Sequence, residues 1–214
     1  MPEAKRIMGR TPYASDGDFC RIFYEETDSL YRLSFLLTAD CEKAEQCFVS
    51  GLEDSLKGNR VFKEWARSWA RRAIIRDAAR IINPRPTEEN TASSFNSSCR
   101  TLVAEQVEIA AVLDLAPFER FVFVISVLEH YSEHECSVLL GCSRRDVIAA
   151  RSRALQQIGS AIELHVNQQV NVGSGKPGLH NNCRSVHELQ LAPRLATSVF
   201  SNFGVNQNAL SGRG

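Results

Sequence analysis

The sequence contains no apolar run long enough to cross a membrane. The longest such runs, for example Phe121 to Val127, stop far short of the roughly 18 residues that a spanning helix requires. The first ten residues carry three basic side chains with no apolar segment behind them, so they lack the pattern of an export signal. We therefore expect a cytoplasmic protein that has no membrane partner.

The chain also lacks an excess of charge of either sign. Lys and Arg number 25, as do Asp and Glu, so the formal net charge is zero. This excludes a uniformly basic surface, and a nucleic-acid partner would have to be recognised through local charge. Hydrophobic residues make up 43% of the sequence and charged residues 23%, which excludes a wholly disordered chain and a coiled-coil rod. We expect a folded protein, and 214 residues are enough for two compact units.

Catalytic and metal-binding motifs are missing as well. The seven cysteines include no C-x-x-C pair, which disfavours a disulfide framework and a zinc ribbon, and we expect buried, reduced thiols. His130, His134, Cys136 and Cys142 lie close together in the sequence, but their spacing matches no common zinc site. Nucleophile-elbow, H-E-x-x-H and paired-carboxylate arrangements are absent. The sequence therefore predicts no enzyme, no bound metal and no cofactor.

Apolar residues recur at helical spacing in the first part of the chain. The pattern predicts a three-helix domain at residues 16–83. The first helix is expected over 18–37, the second between its N-cap Asp40 and Gly58, and the third over 61–82.

A second set of helices is predicted after a polar linker. Residues 84–101 contain two prolines close together and no hydrophobic period, which is typical of a flexible linker. The helical period returns at 102–165, where we expect a second small domain. Residues 1–15 and the Asn-, Gly- and Ser-rich segment 166–214 are predicted to be disordered. The predicted fold is thus all-α, with two small helical domains joined by a flexible linker.

Capping signals in the second domain predict a pair of short helices. Ser132 and Glu135 can form a capping box, Gly141 is suited to end the helix that follows, and Ser143 can cap the next one. Two helices joined by a Gly-bearing turn have the geometry of a helix-turn-helix, whose second helix enters the major groove of DNA. A plain helical hairpin without DNA contact is the alternative. The predicted DNA contacts of the second helix are Ser143, Arg144, Arg145, Ala149, Ser152 and Arg153.

Charge is distributed unevenly along the first domain. Residues 13–57 hold four basic and ten acidic side chains, whereas residues 60–85 hold eight basic and two acidic ones. Basic side chains recur every four residues on the third helix, so a phosphate backbone can lie along them, and Trp65 and Trp69 beside them can stack on unpaired bases. The alternative is a solvated basic face that pairs with the acidic helices, with the tryptophans in the core. We call the six charged residues predicted to bind DNA the basic row: Lys63, Arg67, Arg71, Arg72, Arg76 and Arg80.

These motifs together resemble those of a bacterial RNA polymerase sigma factor of the extracytoplasmic-function, sigma-70-like family, over about residues 16–160. The best match is L-A-P-F-E-R-F-V-F-V-I-S-V-L-E-H-Y-S-E-H-E-C-S-V-L-L-G-C-S-R-R-D-V, followed by Arg153-Ala154. It resembles the family's fourth region, whose helix-turn-helix reads the upstream promoter element. In the first domain, L-T-A-D-C-E-K-A-E and the W-x-x-x-W helix with Asp77 and Arg80 resemble the second region, which clasps the polymerase and melts the downstream element.

The resemblance implies core RNA polymerase and promoter DNA as partners, and it leaves open whether an anti-sigma factor also binds. It places the polymerase-binding surface at Ala44, Glu45, Gln46 and Val49. The family usually has an acidic residue where Gln46 stands and a Gln where Val49 stands. The expected function is a sigma-type transcription initiation factor that directs core polymerase to promoter DNA. A sigma-derived DNA-binding or protein-interaction regulator that has lost polymerase docking is the alternative, and a helical interaction module without DNA function is a third.

Overall fold

The computed structural model describes residues 12–58, 60–86 and 107–172, and these residues form eight α-helices and no β-strand. The all-α prediction is therefore confirmed. Most of the predicted N-terminus, linker and tail lie outside the described residues, and the predictions for them stay predictions. None of the described helices has the length and hydropathy needed to cross a membrane.

The first half of the structure, residues 12–58 and 60–86, contains four α-helices rather than the three predicted. A 3₁₀ turn, Lys63–Trp65, leads directly into the last of them, and Asn83 ends that helix in the left-handed conformation (φ 48°) just before Pro84. The helices are α1 (Asp16–Glu25), α2 (Thr27–Thr38), α3 (Cys41–Lys57) and α4 (Ala66–Ile82).

The prediction of one helix over 18–37 is wrong, because the helix is interrupted at Glu26. The hydroxyl of Thr27 donates hydrogen bonds to the backbone carbonyl oxygens of Phe23 (2.6 Å) and Tyr24 (2.9 Å). A threonine hydroxyl bonded in this way competes with the backbone ladder and bends or interrupts a helix. Glu26 accordingly leaves helical geometry (φ −109°, ψ 22°), and α1 and α2 form separately.

Helix α3 begins and ends where the sequence predicts. The carboxylate of Asp40 accepts hydrogen bonds from the first free backbone N–H groups, and Gly58 follows the last helical residue. Gly51 lies against α4, where a Cβ atom at this position would be 2.7 Å from Cγ1 of Ile74. The absence of a side chain at Gly51 therefore lets α3 and α4 approach closely. Cys47 strengthens the same contact, because its thiol donates a hydrogen bond to the carbonyl oxygen of Ile74 (3.2 Å).

The second half of the structure, residues 107–172, contains four further α-helices. Pro117 occupies the first turn of its helix as predicted, and a π turn, Val124–Leu128, continues that helix. The last helix extends to Val172, seven residues beyond the predicted end of the domain at 165, because no glycine or proline interrupts the chain between Gly159 and Gly173. The helices are α5 (Val107–Leu113), α6 (Pro117–Phe123), α7 (Glu133–Leu140) and α8 (Arg144–Val172).

The two halves pack against each other in this structure. Helix α2 contacts α5, α6 and the π turn, and buried apolar side chains of both halves form one continuous cluster. Arg120 of α6 is 1% exposed and donates hydrogen bonds to the carbonyl oxygens of Leu37, Leu113 and Leu115. These carbonyls lie near the C-terminal ends of α2 and α5, where unpaired carbonyl groups and the helix dipole favour a cation. Burial lowers the pKa of Arg120 to about 10, so its guanidinium remains charged at neutral pH.

Four of the five described cysteines are free, and burial raises the pKa of each of these thiols. Cys20, Cys47, Cys136 and Cys142 have free thiols. Burial raises the pKa of Cys47 to about 12 and that of Cys136 to about 11, and the thiolate is therefore scarce at neutral pH. The expectation of reduced thiols is wrong for Cys41, which is disulfide-bonded at the partly exposed start of α3. In the described part of the chain, no group of three or more His, Cys, Asp or Glu side chains is arranged to hold a metal ion.

Candidate nucleic-acid interface

Helices α7 and α8 meet at a three-residue turn that ends with Ser143. Gly141 ends α7 in the left-handed conformation (φ 62°). The Ser143 hydroxyl oxygen accepts a hydrogen bond from the backbone N–H of Asp146 (3.2 Å), and the Asp146 carboxylate accepts bonds from the Ser143 hydroxyl (2.7 Å) and N–H (3.0 Å). The bonds from Ser143 lower the pKa of Asp146, so the carboxylate is ionised at neutral pH. The predicted caps at Gly141 and Ser143 are confirmed.

The inner face of α8 is fixed against the rest of the second half. Val147, Ala150 and Ala154 are fully buried, and α8 packs against α5, α6 and α7. Arg151 forms an ion pair with Glu133 of α7, with an N–O distance of 2.7 Å. The direction in which α8 projects is thus set by packing and by a charged contact.

Arg153, which was predicted to contact DNA, has a partner inside the protein. Its Nε and Nη2 atoms both donate hydrogen bonds to Oε1 of Glu119, at 3.0 and 2.8 Å. Glu119 lies on α6 and is only 6% exposed. A protein is strongly destabilised when a buried carboxylate loses its charged partner. Arg153 therefore ties α8 to α6, while 45% of its side chain remains exposed on the outer surface.

The outer face of the first turns of α8 is open. Arg144, Arg145, Ala149 and Ser152 are all exposed, and we call these four residues the α8 face. Neither arginine has a hydrogen-bond or ion-pair partner among the described residues. Ser143 is exposed as well, but its hydroxyl is engaged in the cap. Free guanidinium groups at a helix N-terminus form a surface that favours anions, because the helix dipole acts in the same direction.

Two apolar side chains beside the α8 face are exposed, although the apolar pattern of the sequence places one of them, Leu155, on the buried side of the helix. Ile148 is 43% exposed and Leu155 is 50% exposed. Their spacing of seven residues places both side chains on one side of a helix, so the sequence could have shown that they lie together. They leave part of the outer surface of α8 apolar.

The basic row, which lies on α4 and the 3₁₀ turn before it, is mostly paired with carboxylates, as the alternative interpretation supposed. Arg67 and Arg80 nevertheless keep 64% and 63% of their side chains exposed. Ion pairs between two exposed side chains contribute little to stability, but the pair of Arg80 with the buried Asp77 (1% exposed) is costly to break. The ion pairs are Lys63 with Asp18, Arg67 with Glu25 and Glu26, Arg71 with Glu129, Arg76 with Asp54, and Arg80 with Asp77 and Asp54.

Arg72 is the member of the basic row with no hydrogen-bond or ion-pair partner among the described residues. With Arg60, Trp65 and Trp69 it lines a cavity of about 560 Å³. The two tryptophans differ in their surroundings: Trp65 is 60% exposed, whereas Trp69 packs against the core. Of the two predicted stacking residues, Trp65 is therefore the more exposed one.

Trp65 belongs to an aromatic cluster that the sequence did not reveal. Its ring meets the ring of Phe62 edge-on, with centroids 5.3 Å apart, and Phe62 stacks on Tyr13 at 4.9 Å. The guanidinium of Arg60 lies 5.8 Å from the Tyr13 ring centroid. We call Tyr13, Phe62 and Trp65 the aromatic cluster. Ring faces beside arginines form a platform on which unpaired bases of any sequence can stack.

The predicted polymerase-binding residues lie on the first turns of α3 but are not equally accessible. Ala44 is fully buried, so it supports the surface from below and presents no atoms to a partner. Gln46 is exposed, and Glu45 and Val49 are partly exposed. Burial, and then the charges of Glu45 and Asp40, raise the pKa of the neighbouring Tyr31 to about 12. The accessible part of this surface therefore consists of Glu45, Gln46 and Val49.

Comparison with known proteins adds no assignment. The chain matches no family model, and no curated protein sequence matches it.

Proposed function

We propose that this protein is a sigma-type transcription initiation factor that binds core RNA polymerase and directs it to promoter DNA. The observation that carries the proposal is the α8 face, where Arg144 and Arg145 stand at a capped helix start without a protein partner in the described chain. By contrast, Arg151 and Arg153 farther along the same helix are both paired with carboxylates. The two free arginines are thus available to DNA phosphates or base edges.

The α8 face carries the side-chain types that major-groove recognition uses. A helix held from behind can enter the groove with its N-terminal residues leading. Arginine binds guanine edges or phosphates, a serine hydroxyl both donates and accepts hydrogen bonds, and an alanine methyl can contact the methyl group of thymine. Because Arg151 and Arg153 fix α8 before any DNA arrives, little ordering is needed on binding.

The aromatic cluster supplies a second contact suited to unpaired DNA. An initiation factor must hold a melted strand, and stacking on aromatic side chains is worth about 1–3 kcal/mol per base. Trp65 offers the exposed ring, and Arg60 and Arg72 stand beside it along the same cavity. The α8 face would then bind duplex DNA, and the aromatic cluster would bind the melted strand.

One observation favours the second candidate, a sigma-derived regulator without polymerase docking. Gln46 is the most accessible residue of the predicted docking surface, and it is neutral where the resembling family has an acidic residue. Docking on a basic polymerase surface would then depend on Glu45, with Val49 beside it.

Retention of purified core polymerase by the immobilised protein separates the two candidates. Glu45→Lys reverses the charge of the docking surface and should weaken retention, since charge complementarity governs such encounters. Glu53→Lys is the matched control, because it makes the same change on α3 about 12 Å farther along the helix. Retention by the wild type and Glu53→Lys but not by Glu45→Lys supports docking through Glu45. Equal retention by all three removes this contact, and retention by none favours the regulator.

A further inference from the structure

The outer side of α8 carries a regular line of large apolar and small residues. Ile148 is 43% exposed, Leu155 follows seven residues later and is 50% exposed, and the partly exposed Ile162 follows after seven more. Between them, Ser152 is exposed, and Gly159 has open space where a Cβ atom would lie. With 3.6 residues per turn, all five positions fall within about 80° of the helix circumference. We call these five residues the heptad stripe.

The heptad stripe is separate from the side on which α8 packs inside the protein. The packed side is formed by the fully buried Val147, Ala150 and Ala154. The centre of the stripe is rotated from the centre of this side by about 120°. Single exposed apolar side chains are common on protein surfaces, whereas large apolar residues repeated every seven positions form a seam that pairs with another helix. The stripe is therefore suited to contact a helix from outside the fold.

The stripe has nearly the same pattern in both directions along the helix. Leu155 is its centre, with a small residue three or four positions away and an isoleucine seven positions away on each side. A second copy of α8 turned end for end would place Ile148 opposite Ile162 and Ser152 opposite Gly159. The two Leu155 side chains would then meet at the twofold axis. The small residues let two helix axes approach closely, and one patch that matches itself is what a twofold dimer requires.

Two opposite charges beside the stripe favour the same end-for-end arrangement. Arg145 and Glu163 are both exposed, and neither has a hydrogen-bond or ion-pair partner among the described residues. They are 18 residues apart, which is five full turns, so both lie along one edge of the stripe. In an antiparallel pair, Arg145 of each copy comes beside Glu163 of the other. A parallel pair would instead bring the arginine-bearing starts of both helices together, which like charges oppose.

We propose that the heptad stripe is a dimerisation surface on which a second copy of this chain packs, with the two α8 helices antiparallel. The apolar residues of the stripe form the centre of the contact, and an ion pair of Arg145 with Glu163 forms at each end. A single pair of helices is a small interface by the standard of about 1,600 Å² for stable complexes, so we expect dissociation in the micromolar range. The dimer requires no DNA and does not rest on the proposed function.

The test measures the molar mass of the full chain by sedimentation equilibrium, at concentrations from about 1 μM to about 1 mM. DNA is left out, because Arg145 and Ser152 also belong to the α8 face. We expect the mass of the wild type to rise from one chain towards two across this range. Leu155→Glu places two like charges at the twofold axis and should weaken self-association at least about tenfold. Leu164→Glu is the matched control, because Leu164 is 64% exposed and lies about 180° around α8 from Leu155.

Exchange of the two charges tests the antiparallel orientation. Arg145→Glu alone and Glu163→Arg alone should each weaken self-association, since either change breaks both ion pairs of the dimer. The double variant should restore it, because each pair forms again with its charges reversed. This rescue is specific to the antiparallel arrangement, since in a parallel dimer Arg145 of one copy lies about 27 Å along the helix from Glu163 of the other.

Each contrary result removes a stated part of the proposal. A wild type that stays monomeric throughout the concentration range overturns it. Self-association that Leu155→Glu and Leu164→Glu affect equally overturns its assignment to the heptad stripe. A double variant that associates no better than the single charge variants overturns the antiparallel orientation. Circular dichroism shows whether each variant keeps its helices, and the charge variants alter exposed positions, so they test the surface even if Leu155→Glu unfolds.

Discussion

Arg144 and Arg145 are the individual side chains on which the proposed DNA contact depends most. An arginine that neutralises a phosphate adds about 0.9 to the magnitude of the slope of log affinity against log salt. An arginine on a base edge instead contributes about 1–3 kcal/mol of discrimination against the wrong base. We therefore expect Arg144→Ala and Arg145→Ala each to lower either the salt slope or the sequence preference, measured by titration of the full chain with DNA.

The matched control for these variants is Arg21→Ala. Arg21 is an exposed arginine of α1, far along the chain from α8, and it pairs weakly with Asp18 and Glu25. The Arg21→Ala variant should leave the salt slope and the sequence preference of DNA binding unchanged. If the α8 variants keep their helicity and behave like Arg21→Ala, the α8 face does not contact DNA.

At the residue scale, a contact can be predicted from the sequence where the partner is local, but not where the partner is distant in the chain. The Ser143 cap is visible in the sequence because both partners lie within three residues. The partner of Arg153 lies 34 residues away, and that of Arg71 lies 58 residues away. No periodic pattern indicates which carboxylate reaches a given arginine over such separations. Exposed arginines could be predicted as cations, but which of them remain free could not.

At the scale of single elements, three helices start with the same reciprocal cap of a serine and a carboxylate. These are α1, α7 and α8, and hydrogen bonds from the cap serines lower the pKa values of Asp18, Glu135 and Asp146. A carboxyl whose pKa is lower in the folded state stabilises the fold above its unfolded pKa, here 3.8 to 4.5, and loses that effect as pH falls through the folded pKa.

Acid unfolding should therefore depend on the cap serines. We expect the melting temperature of the wild type to fall as pH drops below about 4, and Ser143→Ala to show a smaller fall because Asp146 loses the bonds that lower its pKa. Melting curves are recorded by circular dichroism at pH values from neutral to below the unfolded pKa values of the cap carboxyls. They measure how far the melting temperature of each protein falls. Identical acid dependence in the wild type and Ser143→Ala would show that this cap is not formed.

The close packing of α3 on α4 gives a second prediction at this scale. Gly51→Ala should lower the free energy of unfolding by about 1–3 kcal/mol, because the new Cβ would collide with Ile74 and force the helices apart. Gly159→Ala is the control: this position of α8 has open space around it, and alanine is a better helix former there by about 0.5–1 kcal/mol. Urea denaturation of both variants checks the opposite signs, and a neutral or stabilising Gly51→Ala would contradict the described contact.

Most helices could be predicted because their signals are local. Apolar periodicity and caps gave α3 between Asp40 and Gly58 and the start of α8 at Ser143. The break between α1 and α2 was missed because a threonine hydroxyl bonded to the preceding turn overrides an apolar pattern that continues through it. The extension of α8 was missed because polar residues alone do not end a helix.

At the scale of the whole molecule, the packing of the two halves was not predictable from the segment between them. A polar linker offers no apolar surface, and that suggested independent units. The contact is instead made by α2 with α5 and α6, with Arg120 bonded to carbonyl oxygens of both halves. Such contacts depend on side chains distant in sequence, and the uneven charge of the first half gave only the sign of the surfaces involved.

Run-off transcription with purified core RNA polymerase on genomic fragments tests initiation most directly. Addition of the wild type should produce discrete transcripts that core polymerase alone does not make. A protein with both Arg144→Ala and Arg145→Ala should produce fewer of them, because its α8 face has lost both free cations. If the folded wild type binds DNA but yields no discrete transcript, it is not an initiation factor, and the regulator without polymerase docking takes its place.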